Sequence, residues 1–206
     1  TLYGYFQFSK KLGKLQYQLI AAAKYLNVNK DGTEVYNRIK PTPRFNISYR
    51  PTSKSFFRLQ YSCMTTEPSV SLLSETEQWL DNYYVYRGNG NLKPYSAHQF
   101  TLSSSYTDKH YDFSALLLYK YAPDEIVNNF SYTKSYILQS YENLKYKNEY
   151  GGQISMNVYP LSNKALKFSA TGIYMHFHGK ERTGSKWNGY RYQLMLSANY
   201  TAKKWE

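Results

Sequence analysis

The sequence predicts an all-β chain, an antiparallel up-and-down meander of about ten strands. Three observations carry that expectation. Apolar and polar residues alternate with period two along most of the chain. Aromatic residues make up 18% of the 206 positions, with 25 Tyr and 10 Phe, and rings of this kind favour strands over helices. The longest helix-like apolar run, Leu19 to Ala23, is far shorter than the 18 or more residues of a spanning helix.

Period-two segments lie near residues 2–10, 15–27, 36–50, 55–66, 95–107, 111–121, 132–146, 149–159, 165–178 and 188–201. The last is the cleanest. Tyr190, Tyr192, Leu194, Leu196, Ala198 and Tyr200 share one face, and Arg191, Gln193, Met195, Ser197 and Asn199 the other. In 95–107, Phe100, Leu102 and Tyr106 alternate with Thr101, Ser103, Ser105 and Thr107. In 55–66, Phe57, Leu59 and Tyr61 alternate with Arg58, Gln60 and Ser62.

A soluble antiparallel sheet alternates as well, so length and connections decide between the two. Strands of soluble proteins have a mode of about 5–6 residues, whereas a tilted membrane-spanning strand needs about 9–11. These segments are of the longer kind. Short turns near Lys11–Lys14, Pro51–Lys54, Thr107–His110 and Pro160–Lys164 alternate with long connections near 28–35, 67–94, 122–131 and 179–187. Short turns at one end and long loops at the other are the plan of a transmembrane β-barrel. The connection near 147–148 is the one that breaks the rule.

The net charge of +12 invites a nucleic-acid reading, but the charges are sorted by position. Lys10, Lys11, Lys14, Lys54, Lys109, Lys164, Lys203 and Lys204 gather at the short-turn end. Asp31, Glu34, Glu67, Glu75, Glu77, Asp81, Asp124, Glu125 and Glu181 sit in the long loops. A nucleic-acid groove would gather its cations on one face between exposed rings. These cations mark the rim of a sheet, so nucleic acid is not an expected partner. The single Cys63 excludes an internal disulfide and a Cys-based zinc site.

Candidate chemistry is sparse. His98, His110, His176 and His178 are the metal candidates. His176 and His178, two apart, share a strand face, but only Glu181 stands near them as a third ligand, so no metal or other cofactor is expected. Asp108, His110 and Asp112 form an acid–histidine group, but on a short turn, the wrong end for a surface protease, so no catalytic site is expected there. Nucleophile elbows, HExxH and phosphate-loop sequences are absent. Trp79, Tyr83, Tyr84 and Tyr86 crowd one long loop, where they either stack on a ligand or pack the loop.

A resemblance rests on a series of motifs. Pro43-Arg44-Phe45-Asn46-Ile47-Ser48-Tyr49-Arg50-Pro51 is followed by Ser55-Phe56-Phe57-Arg58-Leu59-Gln60-Tyr61-Ser62, then Glu67-Pro68-Ser69, a long loop, and Gly88-Asn89-Gly90-Asn91-Leu92-Lys93-Pro94. This order resembles the barrel of TonB-dependent outer-membrane receptors of the Bacteroidetes type, with Tyr95 departing from the acidic residue usual after the proline. Tyr141 to Asn157, with Asn148, Gly151 and Gly152, resembles a later strand pair of that family, with Gln153 where an acid is usual.

The resemblance implies a Gram-negative outer-membrane location, contact with outer-membrane lipid, and import of a scarce nutrient with a plug domain and the TonB system. It implies no enzyme activity. Residues 1–206 then read as one segment of a larger barrel, the plug and remaining strands lying outside it. Gly88, Asn89, Asn91, Leu92, Lys93 and Pro94 read as a loop-to-strand motif of geometric function. The other open readings are a small complete outer-membrane barrel acting as adhesin or surface enzyme, and a soluble carbohydrate-binding β-sandwich.

Overall fold

The computed structural model describes the backbone of residues 2–30 and 33–201, and side chains within that span outside 28–36. The charges expected at Asp31, Glu34, Lys203 and Lys204 lie outside it. The elements are β1 (Leu2–Leu12), β2 (Leu15–Lys30), β3 (Thr33–Pro41), β4 (Arg44–Tyr49), β5 (Ser55–Thr66), α1 (Val70–Leu73), β6 (Gln78–Trp79), β7 (Tyr84–Tyr86), β8 (Tyr95–Thr107), β9 (Tyr111–Pro123), β10 (Ile126–Tyr132), β11 (Ile137–Asn143), β12 (Tyr146–Val158), β13 (Leu166–Lys180) and β14 (Lys186–Tyr200).

One ten-stranded sheet forms a wall in the order β1-β2-β4-β5-β8-β9-β12-β13-β14, with β3 also paired to β2. Every neighbouring pair in it is antiparallel. β3 and β4 are one pass of the chain. Both pair with β2 in a single continuous register, from Ala23 opposite Pro41 to Ile20 opposite Arg44. The ladder is interrupted where Pro43 has no N–H to give, and Thr42 N–H still donates to Ala22 O at 2.7 Å. Among the described residues the outer edges of β1 and β14 remain unpaired, so the wall is an open arc of a barrel.

The segment expected as a wall strand at 132–146 runs elsewhere. The β9–β12 hairpin continues in unbroken register beyond the wall: Tyr146 opposes Pro123, Leu144 N–H donates to Glu125 O at 2.9 Å, and Asn143 opposes Ile126. β10 and β11 are thus the upper half of one long hairpin, closed at Thr133–Tyr136. At the break Asp124 takes a positive φ of 58° and the upper half leans over to form a second sheet, β10-β11-β7-β6. There β11 pairs with β7 in parallel over three residues, the one departure from the expected antiparallel pattern. Period two reports a strand in either sheet, which is why alternation alone placed this segment in the wall. With the hairpin reassigned, the break near 147–148 is no exception, since it was never a turn. The connection expected near 28–35, however, is mostly paired strand, with Lys30 opposite Thr33, and that expected near 179–187 narrows to the segment between Lys180 and Lys186.

Leu73, Val85, Leu92 and Leu144, in the second sheet and its flanking segments, are under 5% exposed, as are Leu26, Cys63 and Ala122 on wall strands β2, β5 and β9. The wall leaves large apolar side chains bare, including Leu59, Leu102, Leu117, Ile154, Leu194 and Leu196. A water-soluble sheet would cover such a face.

Candidate functional site: a polar wall under a folded cap

The registers sort the wall into two faces. Leu19, Ile47, Leu59, Leu102, Leu117, Ile154, Gly172 and Leu194 form the middle of one face. Rings flank that band at both heights. Toward the long loops Phe45, Tyr61, Phe100 and Tyr119 succeed one another at 5.4, 4.7 and 6.4 Å between centroids, and Tyr150 sits 4.9 Å from His176. Toward the short turns stand Tyr49, Phe57 and the stacked pair Tyr106–Tyr111 at 5.7 Å. An apolar band between two aromatic girdles is the surface that a bilayer covers. The opposite face carries Gln18, Asn46, Gln60, Thr101, Ser103, Gln153, Ser155 and Thr171, the lining of an aqueous lumen.

At the loop end, four charged side chains meet in one cluster. Lys147 lies 2.7 Å from Glu149 and 3.1 Å from Glu125, and Lys120 lies 3.4 Å from Glu149 and 3.6 Å from Glu125. Glu125 is 9% exposed, and its Oε2 is reached only by Lys120, beyond hydrogen-bond range. The cluster ties the hinge of the long hairpin to β9 and β12. Sequence reasoning missed it because the partners meet only through the β9–β12 register.

The cap is built on the loop-to-strand motif. Gly88 is buried where a Cβ would fall 2.5 Å from Leu72 O and closer still to Ser74 O, so the chain passes α1 only without a side chain. Asn89 N–H donates to Leu72 O at 2.7 Å, its Nδ2 donates to Tyr141 O at 2.8 Å, and its Oδ1 accepts from Asn91 N–H at 2.9 Å. Leu92 and Pro94 are buried, and β8 starts at Tyr95. Lys93 is gripped through its backbone by the carboxamide of Asn143, which also donates to Asp124 O at 2.7 Å. Arg182 joins the hinge through Asn143 O at 3.1 Å and an ion pair with Asp124. Nothing in the sequence around Asn143 signals this role.

The four loop aromatics divide. Tyr84 OH donates to Gln139 Oε1 at 2.5 Å, and Tyr86 OH donates to Ser71 O at 2.9 Å with its ring edge-on to Tyr141. Burial pushes the Tyr86 hydroxyl's pKa up. Both pack the cap. Trp79 and Tyr83 are 58% and 72% exposed, and Trp79 meets Tyr136 edge-on at 5.3 Å. Elsewhere in the cap a polar hollow of about 430 Å³ is lined by Glu75, Arg87, Gly88, Asn89, Asn91 and Ser140.

A family model described as an outer membrane protein beta-barrel family matches residues 2–206. The chain belongs to the outer-membrane β-barrel family. Comparison with curated proteins returns no match. Among solved structures the fold is similar to the siderophore receptor PirA of Pseudomonas aeruginosa (TM-score 0.65, 10% identity, 98% of this chain and 42% of that one). It is similar also to the FrpB iron transporter of Neisseria meningitidis (TM-score 0.63, 12% identity, 87% and 25%) and to the copper transporter OprC (TM-score 0.61, 10% identity, 98% and 40%). The chain thus spans between a quarter and about two-fifths of those proteins.

In an outer-membrane barrel the remaining histidine and acid candidates acquire places. His176 and His178, 6.0 Å apart, lie on the lipid-facing side in the upper aromatic girdle, with His178 Nε2 3.0 Å from Asn148 Nδ2. Among the described residues no three His, Cys, Asp or Glu side chains cluster as metal ligands. Asp108 accepts from Lys54 Nζ at 2.8 Å, Asp112 accepts from Tyr159 OH at 2.9 Å, and His110 Nδ1 lies 3.2 Å from Tyr159 O. These contacts lash neighbouring short turns together. The hydrogen bond to Lys54, then that to the Lys109 amide, hold the Asp108 carboxyl below its usual range, and the same pairing raises the Lys54 amine.

Proposed function

We propose that this chain is part of the barrel wall of a TonB-dependent receptor that imports a scarce nutrient across the outer membrane, with no catalytic step of its own. One observation carries the reading. A lipid-coated, polar-lined wall bears a folded cap on its long-loop end, and the solved structures that share this fold are transporters and receptors of iron, siderophore or copper. A porin needs only an open lumen, whereas capture from dilute solution needs an ordered outer surface. The exposed Trp79 and Tyr83 offer stacking faces, and the polar hollow beside Glu75 and Arg87 offers hydrogen bonds.

Energy coupling would come from a plug domain and TonB acting on the intact protein. The test is capture of the TonB periplasmic domain by the intact protein from solubilised outer membranes. Uptake of ferric siderophore and of copper by cells with and without a protonophore then sorts the cargo. Absence of TonB capture, with the protein folded in the membrane, would sink the proposal.

A further inference from the structure

We propose that the short-turn rim of the wall is a docking ring for anionic phospholipids of the inner leaflet of the outer membrane. The inference goes beyond nutrient transport and rests only on the membrane placement of the wall.

Lys10, Lys14 and Lys109 are exposed at this end, whereas Lys11 (opposite Gln16), Arg50 (over the Phe56 ring) and Lys164 (over the Tyr159 ring) lie on the lumen side. Among the described residues none of the three lipid-side lysines forms an ion pair. At the loop end, among the described residues, Lys24, Arg87, Lys120, Lys147 and Arg182 each hold a carboxylate, while Lys93, Lys134, Lys145, Lys180 and Lys186 do not. At the short-turn end the nearby acids are already engaged, Asp108 by Lys54 and Asp112 by the Tyr159 hydroxyl.

Depth supplies the second observation. Tyr49 and the stacked pair Tyr106–Tyr111 sit on the lipid-facing side at the last strand positions before the turns. Rings of this kind lie at headgroup level. Gly13, at a φ of 57°, closes the β1–β2 hairpin in two residues, so Lys14 stands right at the rim. Lys10, opposite Tyr17, is on the lipid-facing side itself. The cations therefore stand at the height of lipid phosphates, and the ring has the charge that phosphatidylglycerol-type headgroups lack. Membrane-surface cations attract anionic lipid by roughly 1 kcal/mol each, which is about fivefold in affinity.

The test uses the intact protein in nanodiscs of mixed phosphatidylglycerol and phosphatidylcholine, with retained lipids counted by native mass spectrometry. The wild type should retain phosphatidylglycerol preferentially, and the preference should shrink as salt rises. Replacing Lys10, Lys14 and Lys109 with Gln should cut it by more than about tenfold, and the corresponding Arg replacements should keep it. Lys24→Gln at the loop end should leave it unchanged. Should the triple variant fail to fold, Lys14→Gln and Lys109→Gln, both at turn positions, carry the same test singly at about fivefold each. Equal retention by wild type and Gln variants overturns the proposal. Stripping by inorganic phosphate beyond that of chloride at equal ionic strength also overturns it, because the ring would then be a free-phosphate site. So does a preference lost only for an added acidic peptide and not for lipid.

Discussion

The carboxamide of Asn143 pairs with the backbone of Lys93 in both directions: Lys93 N–H donates to Oδ1 and Nδ2 donates to Lys93 O, each at 2.9 Å. One side chain thereby imitates a β-bridge and welds the descending loop to the hinge of the β9–β12 hairpin. Asn143 is 7% exposed, so truncation strands three backbone partners in a dry place. Asn143→Ala should loosen the cap by about 1–3 kcal/mol while the wall stays folded. Hydrogen exchange at the Lys93 amide should speed up, and proteases should cut within residues 67–94. Unchanged exchange at Lys93 would show that the pairing is incidental.

Gly88 makes a second, steric prediction. The atoms that crowd its absent side chain are carbonyl oxygens of Leu72 and Ser74, which cannot rotate away as a flexible side chain would. Gly88→Ala should cost about 1–3 kcal/mol and displace α1. The buried Leu73 should then become exposed, readable as new protease cleavage at 70–74. Gly184→Ala, in an open turn with nothing near the added methyl, should show only the smaller penalty of its positive φ of 106°.

Much of the wall was legible because a bilayer imposes a simple rule on every strand. Leu194 and Leu196 alternate with Gln193 and Ser197 whatever their neighbours are, so face and pass could be read locally. The cap was not legible in that way. Residues 132–146 alternate as well as any wall strand, and only the kink at Asp124 and the pairing of Ile137 with Tyr84 reveal a second sheet. The turn-forming character of Gly88 to Pro94 could be read from residue types, but its partner Asn143 stands 50 residues away. The Lys120–Glu149 contact likewise depends on a register that no local pattern records. Of the four loop aromatics, only the structure separates Tyr84 and Tyr86, which pack, from Trp79 and Tyr83, which stay open.

The Lys54–Asp108 pair predicts a pH window. The folded carboxyl lies below its ordinary value of 3.8, so its contribution is present above that pH and is lost as the solution is acidified through the folded value. The folded Lys54 amine lies above its ordinary 10.5, so its contribution is present below that pH and fades as the amine deprotonates. Asp108→Asn should therefore show a constant difference from wild type across neutral pH, vanishing in strong acid and strong base. Both groups are solvent-exposed, so the difference should be small and should shrink in high salt. A difference that persists at acid pH would assign it to packing.

The Lys120, Lys147, Glu125 and Glu149 cluster predicts an asymmetry between single and double changes. Its side chains are between 11% and 22% exposed, so each charge is partly desolvated and leans on the others. Lys147→Met alone leaves two carboxylates with one cation and should destabilise the hinge by about 1–3 kcal/mol, below the range for fully buried pairs. Adding Glu149→Gln should restore most of that loss, because one cation then faces one carboxylate. Thermal unfolding in detergent measures both. Additive losses would show that the four residues do not act as a unit.

The lipid-facing assignment makes the sharpest prediction on β14. Leu196 is 72% exposed opposite Ala170, and Ser197, the next residue, lies on the other face opposite Ser169. In water the two positions would tolerate a charge equally well. In a bilayer they cannot, because Leu196→Arg drives a guanidinium into hydrocarbon while Ser197→Arg points it into the lumen. Leu196→Arg should cost about 2–4 kcal/mol near the midplane, and Ser197→Arg should cost far less. The measurement is reversible unfolding of the intact protein in bilayers, with the gel shift between heated and unheated samples reporting the folded fraction. Equal costs at the two positions would mean that neither side of this strand faces lipid, and the two-faced wall would fall with it.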